Sequence, residues 1–136
     1  AMTQAISVGG SVIGVIGTPI DRYYPKENRA LQDEVAAKHL LISQVPIYRY
    51  DHQPFNTQRF YFSERNVTMA ALSEATIIVE AGETSGTRTQ ARACIDQGKK
   101  LMFLPGVVES VTWARTFLEK GAKVASSVTE AMEMVV

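Results

Sequence analysis

The sequence is short of the features that would place it among secreted, membrane or disulfide-stabilised proteins. It has one cysteine in 136 residues, so it cannot form an internal disulfide, and a reducing cytoplasm is the expected compartment. No apolar run approaches the roughly 20 residues that a membrane span needs. No charged segment followed by an apolar one indicates a secretory signal. We therefore expect a cytoplasmic protein without a membrane partner.

Net charge and metal-binding patterns are also absent. Fourteen Lys and Arg residues balance fourteen Asp and Glu residues, which argues against coating nucleic acid through bulk charge but allows a local basic groove. The two histidines, His39 and His52, have no partner at metal-ligand spacing. Cys94 falls on the apolar face of a predicted helix, as a buried small residue does. We predict no catalytic residue, no metal site and no cofactor.

The sequence does have a regular alternation of short apolar runs and amphipathic segments. The runs predict strands at residues 11–16, 40–43, 76–80, 101–104 and 122–125. Strands that alternate with helices of this length indicate βα units and a parallel sheet. We predict an α/β fold, with a Rossmann-like, three-layer open parallel sheet of about five strands and helices on both faces. Residues 1–136 are expected to form a single domain.

Apolar spacing and terminal glycines predict the helices. Residues 1–7 resemble the end of a helix, and further helices are expected at residues 26–38, 64–74, 85–97, 109–120 and from 128 onward. Gly98 fits the position just after one helix, and Gly121 ends another. Periodicity disappears between residues 45 and 63. Because that segment is rich in aromatic residues, we predict an ordered loop packed over the sheet.

The central feature is a predicted strand, residues 76–79, followed by a turn rich in small polar residues. Its four apolar or β-branched residues suit a strand covered on both faces. Backbone N–H groups and hydroxyls then lie at the positive end of the next helix and attract phosphate. The residues expected to do so are Ser85, Gly86, Thr87 and Arg88. The turn can also be an ordinary strand–helix connection capped by Ser85 or Thr84.

Other polar and aromatic residues fall near the same predicted edge of the sheet. Ligands bind at the carboxyl ends of parallel strands, and this edge would also carry Gly17, Thr18 and Pro105-Gly106. Arg65 suits bidentate phosphate contacts, and Asn66 suits base edges or loop carbonyls. The aromatic residues at 60–62 could stack bases or belong to the core.

Two carboxylates in the turn region have alternative interpretations. Glu80 or Glu83 could act as a general base near a glycosidic carbon. Alternatively, Glu80 caps the strand and bonds a neighbouring loop.

Several spaced motifs together resemble the DprA/Smf family of DNA-processing proteins. In chain order they are Tyr24-Pro-x-x-Asn28-x-x-Leu31, Ser43-x-x-Pro46, Phe62-x-x-Arg65-Asn66, Leu72-Ser73, Val79-Glu-Ala81, Ser85-Gly86, Pro105-Gly106 and Gly121-Ala122. The resemblance covers nearly the whole chain. It implies a Rossmann-like core and a non-enzymatic function, namely binding of single-stranded DNA, usually as a dimer, and loading of the RecA recombinase during natural transformation.

The resemblance also implies which residues form the site, and the sequence departs from the family pattern at some positions. Arg65, Asn66, Ser85 and Gly86 match family positions that line the DNA-binding pocket, and Gly17 closes the matching first strand here. The family's first strand and its phosphate loop, Ser-Gly-Gly-x-Ala-x-Gly-Ile-Asp, are expected before Ala1. Ser63 stands where the family usually has proline. The chain is thus interpreted as a divergent or N-terminally truncated relative.

Two alternatives remain open from the sequence. Proteins similar to the LOG family bind nucleotides and hydrolyse a nucleoside monophosphate at its glycosidic bond. Here only Ser85-Gly86-Thr87 resembles part of their Pro-Gly-Gly-x-Gly-Thr-x-x-Glu motif. The other alternative is a structural or partner-binding domain without a ligand.

Overall fold

A computed structural model describes every residue of the chain. The chain folds into two compact units, Ala1–Arg65 and Asn66–Val136. All strand pairs in both units are parallel, which confirms the predicted α/β class. The strands are β1 (Ile13–Ile16), β2 (Leu40–Ser43), β3 (Ala75–Ile78), β4 (Lys100–Phe103) and β5 (Lys123–Val124). The prediction that residues 1–136 act as one domain stays a prediction.

The five strands do not form one hydrogen-bonded sheet. One sheet pairs β1 with β2, and the other has the order β3-β4-β5. The number of strands and their direction were predictable, because each strand shows its own apolar run. Their grouping was not, because backbone hydrogen bonds between strands leave no mark on the spacing of apolar residues. The prediction of a single sheet of about five strands is therefore corrected to two sheets.

Nine helices connect and cover these strands. They are α1 (Met2–Ser7), α2 (Arg29–Lys38), α3 (Ile47–Asp51), α4 (Phe55–Gln58), α5 (Phe60–Leu72), α6 (Thr87–Asp96), α7 (Pro105–Ser110), α8 (Trp113–Glu119) and α9 (Val128–Val135). A 3₁₀ turn, Lys26–Asn28, leads into α2. Helix α5 begins in the first unit and ends in the second. None of the helices is both long enough and apolar enough to span a bilayer.

In the first unit, α2 packs on the two-stranded sheet. Val35 is its buried residue, and the helix contacts both β1 and β2. Gly14 of β1 makes this possible, because a Cβ there would lie 3.2 Å from side-chain carbons of Val35 and Leu41. The backbone of β1 and its covering helix therefore approach closely, as a glycine in a strand permits.

The segment from residue 45 to 63 is helical, not an irregular loop. Pro46 and Pro54 each occupy the position just before a short helix, α3 and α4, where the missing N–H of proline costs little. Helix α5 then begins at Phe60, earlier than predicted. Helices of four or five residues are too short to show apolar periodicity, which explains why the sequence indicated a loop.

In the second unit, β4 is the central strand and is buried on both faces. Leu101 and Phe103 belong to a cluster with residues of α6 and α8, whereas Met102 belongs to a separate cluster with Ala131 of α9. Because successive side chains of a strand point to opposite faces, these clusters lie on opposite sides of the sheet. Helices therefore cover both faces of this sheet, as predicted.

Two expectations for the second unit were wrong. Strand β3 is not covered on both faces: Thr76 and Ile78 are buried, but Ile77 is 44% exposed. The helix expected at residues 109–120 is two helices, α7 and α8. They are separated at Val111, whose side chain is buried and whose backbone is extended. Apolar spacing continues across Val111, so the sequence did not indicate this break.

The predicted glycine helix ends are confirmed. Gly98, after α6, has φ of +67°, and Gly121, after α8, has φ of +102°. Such values suit glycine, which has no Cβ to clash. The residues that follow donate back into the last turn, with Lys99 N–H to Cys94 O at 2.8 Å and Ala122 N–H to Phe117 O at 3.0 Å. This closes both helices in the manner of a glycine C-cap.

Candidate nucleic-acid interface

Gly17, directly after β1, lies against the ring of Phe62. A Cβ on Gly17 would lie 2.7 Å from Phe62 Cδ1 and 3.3 Å from Phe62 Cα. The close approach that Gly17 allows is therefore to a side chain of α5. Phe62 also lies beside Tyr24, with ring centroids 5.6 Å apart, so the glycine and both aromatic residues form one packed group.

Thr18 is buried and places its two polar groups differently. Its carbonyl accepts a hydrogen bond of 2.5 Å from the Ser43 hydroxyl at the end of β2, which ties the ends of both strands together. Its own Oγ1 is buried and has no hydrogen-bond partner, an uncommon state for a hydroxyl. The residue lies at the strand end where it was predicted.

Arg65 is the cationic member of this group in the first unit. Its guanidinium carbon lies 5.8 Å from the centroid of the Phe62 ring, within cation–π range. It lines a cavity of about 220 Å³ together with Tyr24, Asn28 and residues 14–16 of β1. Burial lowers the pKa of the Arg65 guanidinium from its usual value, because desolvation disfavours the charged form. Arginine still remains charged at neutral pH.

In the second unit, Asn66 holds the turn that precedes α6. Its Nδ2 donates to the carbonyl of Gly86 at 3.1 Å. A Cβ on Gly86 would lie 3.4 Å from the same nitrogen, so glycine leaves the room that this contact uses. Asn66 thus bonds a loop carbonyl, one of the two roles that its residue type suggested.

The two hydroxyl residues of the turn bond to each other and to the backbone. Ser85 Oγ and Thr87 Oγ1 are 2.7 Å apart, and the Thr87 N–H donates to Ser85 Oγ at 3.2 Å. The Arg88 N–H donates to the Ser85 carbonyl at 3.2 Å. Ser85, which precedes the N-cap Gly86, therefore accepts the first N–H of α6 through its hydroxyl. Both hydroxyls retain acceptor capacity towards a ligand.

Arg88 lies in the first turn of α6, and its side chain is exposed, as is that of Arg92 one turn later. The two residues stand at i and i+4 and so are neighbours on the helix surface. Neither forms an ion pair. Together they place positive charge beside the turn at residues 85–87.

The acidic residues near this turn have structural surroundings. The carboxylate of Glu83 accepts hydrogen bonds from the backbone N–H and the hydroxyl of Thr112, so it anchors the turn to the segment between α7 and α8. Glu80 is exposed and makes no side-chain hydrogen bond. The expectation that Glu80 bonds a neighbouring loop was therefore wrong, because Glu83 has that role.

Cys94 lies within the core of the second unit, as predicted. It is fully buried and its thiol donates to the Lys100 carbonyl at 3.2 Å. Burial raises the pKa of the thiol, which makes it a poor nucleophile at neutral pH. No group of three His, Cys, Asp or Glu side chains is arranged to hold a metal ion.

Sequence reasoning left the role of one residue open and missed another. Phe62, offered as a stacking or core residue, contacts both Gly17 and Arg65. Trp113 donates its indole N–H to the carbonyl of Gly82 at 3.3 Å and so fixes the beginning of the turn at residues 82–87. A lone tryptophan, which needs a hydrogen-bond partner when buried, was the available signal.

Comparison with known proteins gives one consistent family. The model of the family described as DNA recombination-mediator protein A matches residues 1–136. Among curated proteins, the DNA processing protein DprA of Streptococcus pneumoniae is 32% identical over 93% of this chain and 44% of its own length. The protein Smf of Synechocystis is 30% identical over 93% of this chain and 31% of its own length.

Solved structures agree with this result. The DprA structure from Streptococcus pneumoniae matches with a TM-score of 0.79 and 29% identity, covering 98% of this chain and 46% of that one. DprA from Helicobacter pylori, which has a unique single-stranded DNA binding mode, matches with a TM-score of 0.71 and 27% identity over 90% of this chain and 55% of that one. The chain spans less than half the length of the curated relatives that it matches.

Proposed function

The chain belongs to the DNA recombination-mediator protein A family, and from this we propose that it binds single-stranded DNA without base specificity in DNA uptake and recombination. The observation that carries the proposal is the pair of consecutive residues on α5. Arg65 supplies a partly desolvated cation, and Asn66 holds the turn at the start of α6. A guanidinium and a hydroxyl-rich helix N-terminus each suit phosphate, which every nucleotide presents whatever its base.

Each site residue has a proposed role. Arg65 and Arg88 contact phosphates through their guanidinium groups. Ser85, Gly86 and Thr87 offer hydroxyls and backbone N–H groups at the positive end of α6. Gly17 and Thr18 support the strand end against which Phe62 lies, and Asn66 positions the turn. The proposed contacts therefore come from a few cations and neutral donors, which fits a chain with no net charge.

Further features follow from family membership as proposals. We propose that residues 1–136 act as a single domain, that the protein forms a homodimer, and that it loads RecA onto the bound strand in the cytoplasm. We also propose binding without catalysis. The buried thiol, the structural Glu83 and the exposed, unpartnered Glu80 support this, since an effective general base is oriented by a hydrogen-bond partner.

The binding proposal is tested by titrating labelled oligo-dT at several salt concentrations with the wild type and Arg65→Ala. We expect weaker binding by the variant on oligo-dT and on mixed-sequence oligonucleotides alike. We also expect a slope of log affinity against log salt that is smaller by roughly 0.7, because one phosphate contact of a single strand is lost.

Arg115→Ala is the matched control, because Arg115 is an exposed arginine of α8 without an ion pair. It should leave affinity and slope nearly unchanged. If both substitutions weakened binding equally, the effect would come from the overall charge of the protein and not from a contact of Arg65. An unaltered affinity of Arg65→Ala would show that Arg65 does not contact DNA. Release of free base from nucleoside monophosphates, abolished by Glu80→Gln, would instead favour the hydrolase alternative.

A further inference from the structure

A second surface of the first unit presents aromatic rings to solvent. Tyr48 of α3 is 76% exposed, Phe55 of α4 is 88% exposed, and Phe60 at the start of α5 is 59% exposed. A fully buried Phe would gain roughly 1.5–3 kcal/mol from burial, and these rings forgo most of that gain. Single exposed apolar residues are ordinary, but three rings within thirteen residues indicate a binding surface.

The exposed rings are carried on a fixed backbone. Between them, Tyr61 is only 7% exposed, and its hydroxyl donates to Gln53 Oε1 at 2.6 Å. Its ring lies 6.0 Å from that of Tyr50. Gln58 donates to the Tyr50 carbonyl at 3.0 Å. These contacts hold α3, α4 and the start of α5 together, so the backbone that carries the exposed rings is fixed.

Arg59 supplies a positive charge next to two of these rings. The guanidinium carbon of Arg59 lies 5.6 Å from the centroid of Phe60, and Arg59 follows Phe55 by four residues. The rings of Tyr48 and His52 stack at a centroid distance of 4.0 Å. Residues 52–63 contain no acidic side chain, and Arg59 forms no ion pair. Exposed rings with an adjoining free cation are the combination that binds unpaired bases and their phosphates.

We propose that Phe55, Arg59 and Phe60 form a stacking surface for bases of the single strand whose phosphates contact Arg65. This deepens the proposed function and rests on it. Phe60 precedes Arg65 by five residues, so the two lie about 7.5 Å apart along the axis of α5 at 1.5 Å per residue. A strand of several nucleotides reaches both. The buried Tyr61, by contrast, supports the surface and touches no base.

The test compares oligo-dT with an abasic oligonucleotide of the same length, which keeps the phosphates and lacks the bases. For Phe55→Ala/Phe60→Ala we expect about tenfold or greater loss of affinity for oligo-dT, since stacking contributes about 1–3 kcal/mol per base. The salt slope and the affinity for the abasic strand should stay as in the wild type. Arg59→Gln should instead reduce the slope by roughly 0.7 on both strands.

Phe55→Trp gives a second readout. Because an aromatic ring is retained, the affinity for oligo-dT should stay close to that of the wild type. The fluorescence of the exposed Trp at this position should be quenched by oligo-dT and not by the abasic strand. The native Trp113 is buried and gives a constant background. Val128→Ala, at a residue 81% exposed on α9, is the matched control and should bind as the wild type does.

Four outcomes overturn the stacking surface. If the double variant binds oligo-dT as tightly as the wild type does, the stacking surface is ruled out and the proposed function is unaffected. Equal losses on oligo-dT and the abasic strand show that the rings do not contact bases. Conversion of an oligomer to a monomer by the double variant assigns the surface to contacts between copies of this chain. Failure of the wild type to bind either strand removes the proposed function together with this surface.

Discussion

The two units of this chain differ in where their apolar and charged side chains lie. Both clusters of mutually contacting buried apolar residues belong to the second unit, from Ala70 to Ala131. The ion pairs, Arg22 with Asp21 and Asp51, Arg29 with Asp33, and Lys38 with Glu34, all belong to the first unit and have exposed partners. The most exposed rings also lie in the first unit.

This difference concerns how each unit is stabilised. Burial of apolar surface is the main stabilising term in folded proteins, and the second unit has apolar clusters on both faces of β4. Exposed ion pairs contribute little, so the first unit depends on fewer contacts, notably those of Val35 and Phe62. A unit that leaves its aromatic rings in solvent gives up stability and gains surface for a ligand.

The largest effect should come from Phe103→Ala in the core of the second unit. Phe103 is fully buried and lies 6.0 Å from the ring of Trp113. Its truncation should lower the free energy of unfolding by about 3–5 kcal/mol, through lost burial and a cavity. Chemical denaturation measures this loss. Phe55→Ala, at an exposed ring of the first unit, should change it by no more than about 0.5 kcal/mol. Similar losses of unfolding free energy in both variants would contradict the difference in apolar packing between the two units.

An intermediate effect is expected where the first unit is tightly packed. Gly17→Ala should destabilise by about 1–3 kcal/mol, because the added Cβ would lie 2.7 Å from the Phe62 ring. Gly82→Ala is the matched control, since nothing lies within 4 Å of a Cβ there. We expect the control to be neutral or slightly stabilising, through a less flexible unfolded chain. If Gly17→Ala behaved like the control, Phe62 would not be packed on β1.

The smallest effect should come from an ion pair of the first unit. Arg22 Nη2 lies within 2.9 Å of both carboxylate oxygens of Asp51, but both side chains are substantially exposed. Asp51→Asn should cost at most about 1 kcal/mol, and less at high salt. Asp96→Asn, at an exposed residue of α6 without an ion pair, is the control. A large loss that persists in salt would mean that charge stabilises the first unit.

The sequence supported the fold where each element carried its own signal. The apolar runs predicted five parallel strands, and Gly98 and Gly121 marked two helix ends. Pairing between strands, by contrast, depends on backbone hydrogen bonds. The short helices α3 and α4 depend on prolines at their starts, which also occur in loops. The division between α7 and α8 falls at the extended, buried Val111, which apolar spacing alone does not distinguish from a helical position.

The candidate site was predictable in composition but not in its contacts. The spaced motifs gave Arg65, Asn66 and the turn at residues 85–87. The hydrogen bond from Asn66 to Gly86 and the packing of Phe62 on Gly17 join residues at least twenty positions apart. Such contacts follow from the fold. Glu83 was offered as a general base because the sequence does not reveal its hydrogen-bond partner, Thr112, which lies 29 residues away.

Hydrogen exchange of the backbone amides, with and without saturating oligo-dT, tests most directly whether this family member binds a single strand at Arg65 and the start of α6. We predict slower exchange at residues 59–66 and 85–88 in the presence of the strand, and no change in α8, which carries no proposed contact. Protection confined to other segments, or identical exchange with and without oligo-dT, would contradict the account.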